Sequence, residues 1–313
     1  MREAIRALRA LPLGIEIEEC AFGGSGIREC GEPLPAATLA ACRAADAVLL
    51  AAVGSPEYDR AAVRPEQGLL YIRSGLGVFA NLRPVRAEGV DLMIVRELSG
   101  GLYYGRRGRL SDGMVFDTCE YHPWQIERIA RRAFELARGR RRSVTLADKH
   151  GLLATSALWR EVVEEVATGY PDVRLDAMLV DNAAMQLVRD PGQFDVLLTE
   201  NTFGDILSDV AAAATGGIGL APSASLGEDG PGIFEPIHGS APDIAGRGIA
   251  NPAAMLRSAA MMLAYGLDRP DQARLLDEAV DEALRLAPTE DLGGVATTEQ
   301  LGDEVVALLG ARV

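Results

Sequence analysis

The chain alternates between short apolar runs of strand length and longer stretches with helical periodicity. Six segments have the length and composition of strands, namely residues 14–22, 46–53, 91–97, 143–147, 174–180 and 194–199. Helical patterns lie between and after them, at residues 35–45, 123–138, 156–168, 205–214, 252–265, 271–285 and 298–309. Because strands that alternate with helices build parallel pairings, this order predicts an α/β protein that contains parallel sheet.

Net charge and hydropathy limit the kinds of partner that the protein can bind. The 313 residues carry a formal net charge of −14, whereas nucleic acid and anionic membranes attract basic surfaces. No apolar run approaches the roughly 20 residues of a membrane span, and residues 1–12 form an amphipathic pattern without the apolar core of a signal peptide. The four cysteines lack metal-binding spacing, which indicates buried free thiols in a reducing compartment. We therefore expect a cytoplasmic protein that binds neither nucleic acid nor membrane.

One basic residue differs from all the others. Lysine occurs once, at position 149, and the other 30 of the 31 basic residues are arginine. Arginine keeps its proton at neutral pH, but a lysine in a dry or cationic pocket can release one. A site that needs a proton acceptor would retain lysine, which favours a catalytic base at Lys149. The alternative is a coding bias toward arginine with one lysine left by chance.

The segment FDVLLTENTFGDILSD, residues 194–209, runs from an apolar strand through Glu200 and Asn201 into a helix. Asp205 and Asp209 are four residues apart and so project from one face of that helix. Two close carboxylates call for a cation, and all-oxygen ligands suit Mg²⁺ or Mn²⁺. A solvated acidic face is the alternative, but the pair follows a strand end, where open α/β sheets bind ligands.

Further polar residues could complete such a site. Asp181 closes the strand-like run LDAMLVDN, and Lys149 follows the strand of SVTLADKHG. Carboxylates, a lysine and a divalent ion at several strand ends could bind and deprotonate a hydroxy acid. Arginine forks could hold its carboxylates, and the candidates are Arg73, Arg83, Arg86 and Arg96. Arg96 is the hardest to explain as surface charge, because it lies inside an apolar strand.

Glycines and prolines punctuate residues 233–252, IFEPIHGSAPDIAGRGIANP. This loop must let its backbone approach a ligand closely before a helix starts at Pro252. It is not a GxGxxG fingerprint, and the chain has no convincing one after a strand. The earlier cluster FGGSGI, residues 22–27, lacks a Walker lysine and is interpreted as a turn.

Taken together, the motifs resemble the isocitrate/isopropylmalate dehydrogenase family of β-decarboxylating dehydrogenases. They are FANLRP, VRELSGGLYYG, ADK, VDNAAMQLV, NTFGDILSD, LAPSASLG and HGSAPDIAGRGIANP, in the expected order. The resemblance implies a two-domain α/β fold, a mixed sheet flanked by helices that is not a GxGxxG Rossmann fold. Residues 1–87 and 218–313 would form the cofactor-binding domain. Residues 88–217 would form the central domain, with the metal and substrate site and the interface of a homodimer whose sites are shared.

The resemblance also implies roles for single residues. Asp205 and Asp209 match the metal ligands, which Asp181 of the partner subunit completes. Lys149, again contributed by the partner, matches the base that takes the C2 hydroxyl proton, and Tyr121 matches the acid that protonates the enol after CO₂ leaves. The residues matched to catalysis are thus Lys149, Tyr121 and Asp181, and those matched to the substrate carboxylates are Arg73, Arg83 and Arg96.

The cofactor would lie against the glycine-rich loop, with contacts from His238, Gly239, Ser240, Ala241, Pro242, Asp243, Ile244 and Asn251. Asp243 occupies the position at which the family distinguishes cofactors. A carboxylate accepts hydrogen bonds from ribose hydroxyls and repels a 2′-phosphate, so NAD is expected rather than NADP. Mg²⁺ or Mn²⁺ is the second expected cofactor.

The activity that the resemblance implies is NAD-dependent oxidative decarboxylation of 3-isopropylmalate to the 2-oxo acid and CO₂, as in leucine biosynthesis. Leu76 and Val78 are apolar and favour an alkyl substituent on the substrate, whereas Ser74 is also compatible with the isocitrate branch. The alternatives are a related enzyme that acts on another alkylmalate or on tartrate, and a catalytically impaired paralogue.

The chain departs from the family pattern at three places. The usual opening strand and its GDGIGPE loop are missing from the sequence. The stretch between Pro84 and Asp91 is short, which leaves Arg86 as the only nearby candidate for a second substrate arginine there. The asparagine that usually follows two residues after the lysine, and helps to hold the nicotinamide side, is replaced by Gly151, with His150 beside it.

Overall fold

The computed structural model describes residues 1–312. Its strands are β1 (Ala47–Leu49), β2 (Ala80–Ala87), β3 (Val90–Glu97), β4 (Arg107–Arg109), β5 (Val115–Asp117), β6 (Ser143–Asp148), β7 (Arg174–Leu179), β8 (Val196–Thr199), β9 (Pro222–Leu226) and β10 (Gly232–Pro236). Its helices are α1 (Arg2–Ala10), α2 (Gly24–Cys30), α3 (Ala36–Ala44), α4 (Gln67–Leu76), α5 (Pro123–Arg138), α6 (Ala154–Ala167), α7 (Val180–Arg189), α8 (Asn201–Ala214), α9 (Ala253–Met261), α10 (Pro270–Leu286) and α11 (Thr298–Gly310). A π-helical turn at Met262–Gly266 follows α9 directly.

The chain divides into two compact units. The first joins Met1–Val78 to the chain from Ile218 onward, and the second comprises Phe79–Gly217. Residues 79–87, which the sequence assigned to the domain of the chain ends, lie in the second unit, because β2 pairs with β3 along its whole length. The functional division between a cofactor-binding and a central domain stays a prediction.

In the first unit, β10 lies between the other two strands. β1 pairs with it in parallel and β9 in antiparallel fashion. Helix α9 packs on β9, β10 and α10, while α11 packs on α10 and α1. Phe234 of β10 and Leu256 of α9 are fully buried, so the core of this unit lies between the sheet and α9.

In the second unit, the strand order is β2, β3, β8, β6, β7. β2 and β3 form an antiparallel hairpin, whereas β3, β8, β6 and β7 pair in parallel. All four residues of β8 are buried, as is typical of strands that are covered on both faces. Helices flank this mixed sheet, which confirms the expected fold class. Because the carboxyl ends of parallel strands share one edge, Arg96, Lys149 and the start of α8 are brought to the same edge of the sheet.

Three predicted local structures were wrong. Residues 14–22 form no strand; they are mostly exposed and, within residues 1–312, have no neighbouring strand to receive their backbone hydrogen bonds. The strand predicted over residues 46–53 is limited to Ala47–Leu49, the part that pairs with β10. The predicted turn of FGGSGI is the start of α2, since Gly23, with φ of +59°, turns the chain and a helix then begins.

The cysteines are free, as expected, but most of them are not buried. Cys42 is buried and Cys119 is half-buried, whereas Cys20 and Cys30 are exposed. The difference has the same origin as the missing strand. Cys20 belongs to the exposed segment 14–22, and Cys30 ends the short helix α2 at the surface.

Candidate active site

Two predicted substrate arginines lie side by side on one face of the β2–β3 hairpin. Asn81 and Arg83 of β2 share a face because strand side chains alternate, and Arg96 of β3 stands directly opposite Asn81. Both arginines are buried, with 7% of Arg83 and 2% of Arg96 exposed. Charges this deep require partners, and α8 supplies them.

Helix α8 presents Asp205 and Asp209 to these guanidinium groups. Arg96 Nη1 forms an ion pair with Asp205, and Arg83 Nη2 lies 3.4 Å from the same carboxylate. Arg83 Nη1 lies 3.9 Å from Asp209. The carboxylates stay partly accessible, since 38% of the Asp205 side chain and 63% of the Asp209 side chain are exposed. The site thus joins two buried cations to two accessible anions.

A glycine makes this approach possible. Gly204, in the NTFGD motif, faces Thr199 and Arg96, and a β-carbon there would lie 2.3 Å from Thr199 Oγ1 and 2.7 Å from Arg96 Cγ. Only a residue without a side chain lets α8 pack so closely on β3. Position 204 therefore sets the distance between the aspartates and the arginines.

The aspartates have the donor chemistry that a hard divalent cation prefers, with carboxylate oxygens alone. Burial raises the pKa of Asp209, while the nearby Arg83 guanidinium acts to lower it. Within residues 1–312, no three His, Cys, Asp or Glu side chains gather into a metal-binding group. The pair therefore fits Mg²⁺ or Mn²⁺ as two ligands of a larger set.

Sequence reasoning missed Tyr103, whose hydroxyl donates to Asp205 Oδ2 at 3.0 Å. The only sequence signal for this residue was its place in the GGLYYG motif.

Tyr121 lies in a tight pocket next to the start of α8. Its hydroxyl accepts a hydrogen bond from the Asn201 N–H at 3.0 Å and donates to Glu200 Oε2 at 3.3 Å. Burial raises the pKa of Tyr121 far above its ordinary value, and the carboxylates of Glu97 and Glu200 raise it further. A phenol in this environment keeps its proton, and so it can donate a hydrogen bond.

The glycines of the LSGG motif leave room for this tyrosine. A β-carbon at Gly101 would lie 2.6 Å from the Tyr121 hydroxyl oxygen, and one at Gly100 would lie 2.7 Å from its ring. The φ of Gly101 is +76°, which other residues rarely adopt. On its other side, the ring meets Trp159 edge-on, with centroids 5.3 Å apart. The motif therefore fixes where Tyr121 stands.

Lys149 and Asp181 form an ion pair with each other. Lys149 directly follows β6, and Asp181 lies in the first turn of α7, where the helix dipole favours a carboxylate. The hydrogen bond from Lys149 lowers the pKa of Asp181. Asp181 does not join Asp205 and Asp209 in a ligand group within residues 1–312, so this chain brings the predicted site residues together as two separate sets.

The two residues after Lys149, His150 and Gly151, depart from the family pattern. His150 Nδ1 lies 3.2 Å from Oδ1 of the buried Asp148, whose Oδ2 accepts from Arg160 Nε at 2.7 Å. A β-carbon at Gly151 would meet no atom within 4 Å. The position that lacks the usual asparagine therefore has open space around it.

The predicted cofactor loop belongs to the first unit. It follows β10 and is largely exposed from Gly239 to Asp243. Ala241 has φ of +45°, an uncommon conformation for a residue with a side chain, and such strained backbone gathers at functional sites. Exposed backbone groups and the exposed carboxylate of Asp243 fit a ligand rich in hydroxyl groups, such as the ribose of NAD.

Asn251 is anchored at the start of α9. Its Oδ1 accepts from the Ala253 N–H at 2.9 Å, and its Nδ2 donates to Asp291 Oδ2 at 3.1 Å. Sequence reasoning did not identify Asp291, which lies 40 residues further along the chain. No motif links the two positions, so only the fold reveals this contact.

Two other arginines differ from the central pair. Arg73, in the first unit, forms a partly buried ion pair with Glu235 of β10 at 2.9 Å. Arg86 is exposed near the end of β2. It lies three residues after Arg83, and strand side chains alternate, so it projects from the opposite face. Arg86 therefore cannot act as a second arginine beside Arg83.

The fold is that of β-decarboxylating dehydrogenases. An isocitrate dehydrogenase from Methylococcus capsulatus superposes with a TM-score of 0.91 at 36% identity and covers 99% of this chain and 95% of its own. A β-decarboxylating dehydrogenase from Thermococcus kodakarensis, solved without ligand, gives a TM-score of 0.82, also at 36% identity, with 99% and 92% covered.

The sequence comparison is more specific. Residues 1–305 match the model of the isocitrate/isopropylmalate dehydrogenase family, and the chain belongs to this family. The 3-isopropylmalate dehydrogenase of Streptococcus mutans is 52% identical over 310 residues, which cover 94% of this chain and 90% of that protein. The enzyme of the same name from Parasynechococcus marenigrum is 57% identical over 284 residues, with 84% and 80% covered.

These relatives define the chemistry of the class. 3-Isopropylmalate dehydrogenases are metal-dependent, NAD-linked β-decarboxylating dehydrogenases, and the family acts on small hydroxy acids. The divalent metal is one such as Mg²⁺ or Mn²⁺. Across residues 1–312, no helix combines the length and apolar character needed to cross a membrane.

Proposed function

We propose that this chain oxidatively decarboxylates 3-isopropylmalate with NAD and a divalent metal, as a homodimer in the cytoplasm. The observation that carries the proposal is the convergence of Arg83 and Arg96 on Asp205 and Asp209 at the edge of a parallel sheet. A 2-hydroxy dicarboxylate needs cations for its carboxylates and a metal site for its hydroxyl. The names and the high identity of the relatives support the alkylmalate over isocitrate or tartrate.

In this mechanism the arginines bind and orient the acid. Their guanidinium groups are buried, so their attraction for a carboxylate is little screened by water. In the free protein they are paired with Asp205 and Asp209, and substrate and metal together would exchange these pairs for arginine–carboxylate and aspartate–metal contacts. Each buried charge then keeps a partner throughout.

One proton transfer precedes the loss of CO₂ and a second follows it. Lys149 takes the proton of the C2 hydroxyl as hydride leaves for NAD. Tyr121, held in its protonated form by burial and by Glu97 and Glu200, gives a proton to the enol carbon once CO₂ has left. A divalent cation, when bound, supplies polarisation of the C2 oxygen. In the free protein Asp181 forms an ion pair with the protonated Lys149, and Lys149 can act as the base only after it has released that proton.

Lys149 and Asp181 form one set and Asp205 and Asp209 another, and this separation supports an active site that is shared between two subunits. Lys149 and Asp181 would serve the opposite subunit, so that Asp181 of the partner subunit completes the ligands of Asp205 and Asp209. Exposed apolar side chains on α7 and α8 support an interface there, since 49% of Met185, 65% of Val188 and 58% of Ile206 are exposed. Exposed apolar side chains on neighbouring helices are typical of surfaces that bind a partner.

The direct test follows NAD reduction with Mn²⁺ and each of 3-isopropylmalate, isocitrate and tartrate. We expect turnover with 3-isopropylmalate far above the other two. The matched control is Arg96→Gln, which should raise KM for the substrate about 10- to 100-fold through loss of a charged hydrogen bond. Turnover of isocitrate or tartrate alone would assign a different member of the family, and no turnover of any acid would indicate an impaired paralogue.

A further inference from the structure

Each central arginine donates to a buried asparagine to which the sequence motifs gave no role. Asn81 and Asn201 are both 0% exposed. Asn81 Oδ1 accepts a hydrogen bond from Arg83 Nε at 2.7 Å. Asn201 Oδ1 accepts from Arg96 Nε at 3.0 Å and from its Nη2 at 2.7 Å. The same device thus occurs twice, on two different elements.

The effect of each hydrogen bond depends on which arginine nitrogen donates it. An arginine side chain is long and flexible, and Nε is the guanidinium nitrogen nearest its stem. A bond at Nε fixes the plane of the group and leaves at least one terminal nitrogen to face a ligand, which in Arg96 is Nη1 because Nη2 also donates to Asn201. In the free protein these terminal nitrogens reach Asp205 and Ser208: Arg96 Nη1 pairs with Asp205, and Arg83 Nη1 donates to Ser208 Oγ at 2.5 Å.

The choice of an amide also matters. An aspartate at either position would accept the same hydrogen bond, but its negative charge would neutralise the guanidinium and repel an anionic ligand. An asparagine oxygen orients the arginine without adding charge. The positive charge of Arg83 and Arg96 is therefore retained for a carboxylate.

Asn201 also contacts groups other than Arg96. Its Nδ2 donates to the carbonyl of Gly100 at 2.9 Å, and its backbone N–H donates to the Tyr121 hydroxyl at 3.0 Å. The LSGG loop that carries Gly100 is itself held by the buried carboxylate of Glu97, which accepts from the Gly100 N–H at 2.9 Å. One residue at the start of α8 thus connects Arg96 to the loop against which Tyr121 packs.

We propose that Asn81 and Asn201 are positioning residues, which orient Arg83 and Arg96 toward the two carboxylates of the substrate. This inference rests on the proposed function, because it takes the arginines as the groups that bind the hydroxy acid. The asparagines touch no substrate themselves. They act by holding each guanidinium in the one orientation that presents its terminal nitrogens.

The test compares Asn81→Ala and Asn201→Ala with the wild-type enzyme and with Arg83→Gln and Arg96→Gln. Each alanine variant should raise KM for 3-isopropylmalate about 10- to 100-fold, the size expected when a binding group is displaced by about an ångström. KM for NAD should stay unchanged. Calorimetric titration with 3-isopropylmalate and Mg²⁺ should show the same weakening without turnover.

Double variants separate positioning from general damage. Asn81→Ala added to Arg83→Gln, or Asn201→Ala added to Arg96→Gln, should raise KM no further, because no guanidinium remains to be oriented. Thr145→Val, which removes a buried hydroxyl from β6 of the same unit, is the control and should leave KM unchanged. If Asn201→Ala fails to fold, Asn201→Leu of similar volume is measured in its place, and Asn81→Ala tests the other half independently.

The outcomes distinguish this inference from the proposed function. If neither arginine variant raises KM, the substrate assignment itself fails. If the arginine variants weaken binding and the asparagine variants do not, the positioning role alone is overturned. Effects that simply add in the double variants would also contradict it, since they would show damage unrelated to the arginines.

Discussion

Gly204 faces Arg96 so closely that a β-carbon at position 204 would lie 2.7 Å from Arg96 Cγ. The contact is a packing requirement with a direct effect on the site, because it sets how near Asp205 comes to the guanidinium groups. A methyl group there would also lie 2.3 Å from Thr199 Oγ1 at the end of β8. Both neighbours are fully or almost fully buried and have little room to move.

We expect Gly204→Ala to displace α8 from the sheet. Overpacking of this kind costs about 1–3 kcal/mol of unfolding free energy, and the displaced aspartates should also raise the Mg²⁺ concentration needed for half-maximal activity. Urea unfolding and a metal titration measure the two effects. Gly310→Ala is the control, since a β-carbon there meets no atom within 4 Å. Equal stability of the two variants would contradict the argument.

The shared site predicts that two inactive variants rescue each other. Lys149→Arg retains a cation beside Asp181 but loses the proton acceptor, and Asp205→Asn loses a metal ligand; each should be inactive alone. In a mixed dimer, one site would combine both changes and the other would have neither. Random mixing yields about half mixed dimers, so about a quarter of the wild-type activity should return.

Measurement of this rescue requires subunit exchange, by unfolding and refolding the two variants together. The control refolds each variant alone, which should yield no activity. Absence of rescue, with mixed dimers demonstrated by differently tagged chains, would mean that Lys149 and Asp205 serve the same subunit's site. Recovery well above a quarter would show that one of the variants is itself active.

The sequence pattern predicted the parallel strands of the second unit, because strands that are buried consist mainly of apolar residues. β6 and β8 are apolar runs that end at polar residues, and strand ends of this kind gather at one edge of the sheet. The segment 14–22, GIEIEECAF, begins with alternating apolar and acidic residues that also predict a strand, but a strand requires a partner as well, and no local pattern specifies one. Pairing is a property of the whole chain.

The same distinction applies to the site. Asp205 and Asp209 were visible as a helical pair, and Lys149 was visible as the only lysine. Asn81 and Asn201 belong to the motifs FANLRP and NTFGDILSD, but nothing in these motifs shows that either amide contacts an arginine, because the two contacts depend on the fold. The residues proposed to bind metal and to act as the base thus had a recognisable pattern in the sequence, whereas the contacts proposed to orient the arginines did not.

Gly151 offers a test of how the nicotinamide side is held. The resemblance to the family expects asparagine there, and open space surrounds the position. Gly151→Asn should therefore fold with an unchanged melting temperature and lower KM for NAD, while KM for 3-isopropylmalate stays the same. Gly151→Ala is the matched control, since it adds a β-carbon without the amide. If the asparagine variant binds NAD no better than the alanine variant, the missing side chain has no part in holding the cofactor here.

Glu200 gives the stability of the protein a defined pH dependence. Burial raises the pKa of this carboxyl above its ordinary 4.5, so the folded protein binds the proton more tightly than the unfolded chain. Below 4.5 both states are protonated at this position and the residue costs nothing. As the pH rises through 4.5 and then through the higher pKa of the folded state, the unfolded chain loses its proton first, and the free energy of unfolding falls.

Glu200→Gln should abolish this fall. The amide oxygen can still accept from the Phe203 N–H, which bonds to Oε1 of the carboxylate, while the amide nitrogen would face the Tyr121 hydroxyl in place of Oε2, and the side chain never becomes charged. Urea unfolding at a series of pH values from 4.5 upward should therefore show the variant gaining stability relative to the wild type as the pH rises. Glu164→Gln, on the exposed side of α6, is the control and should track the wild type. Parallel curves for Glu200→Gln and the wild type would mean that the folded and unfolded states hold the Glu200 proton equally.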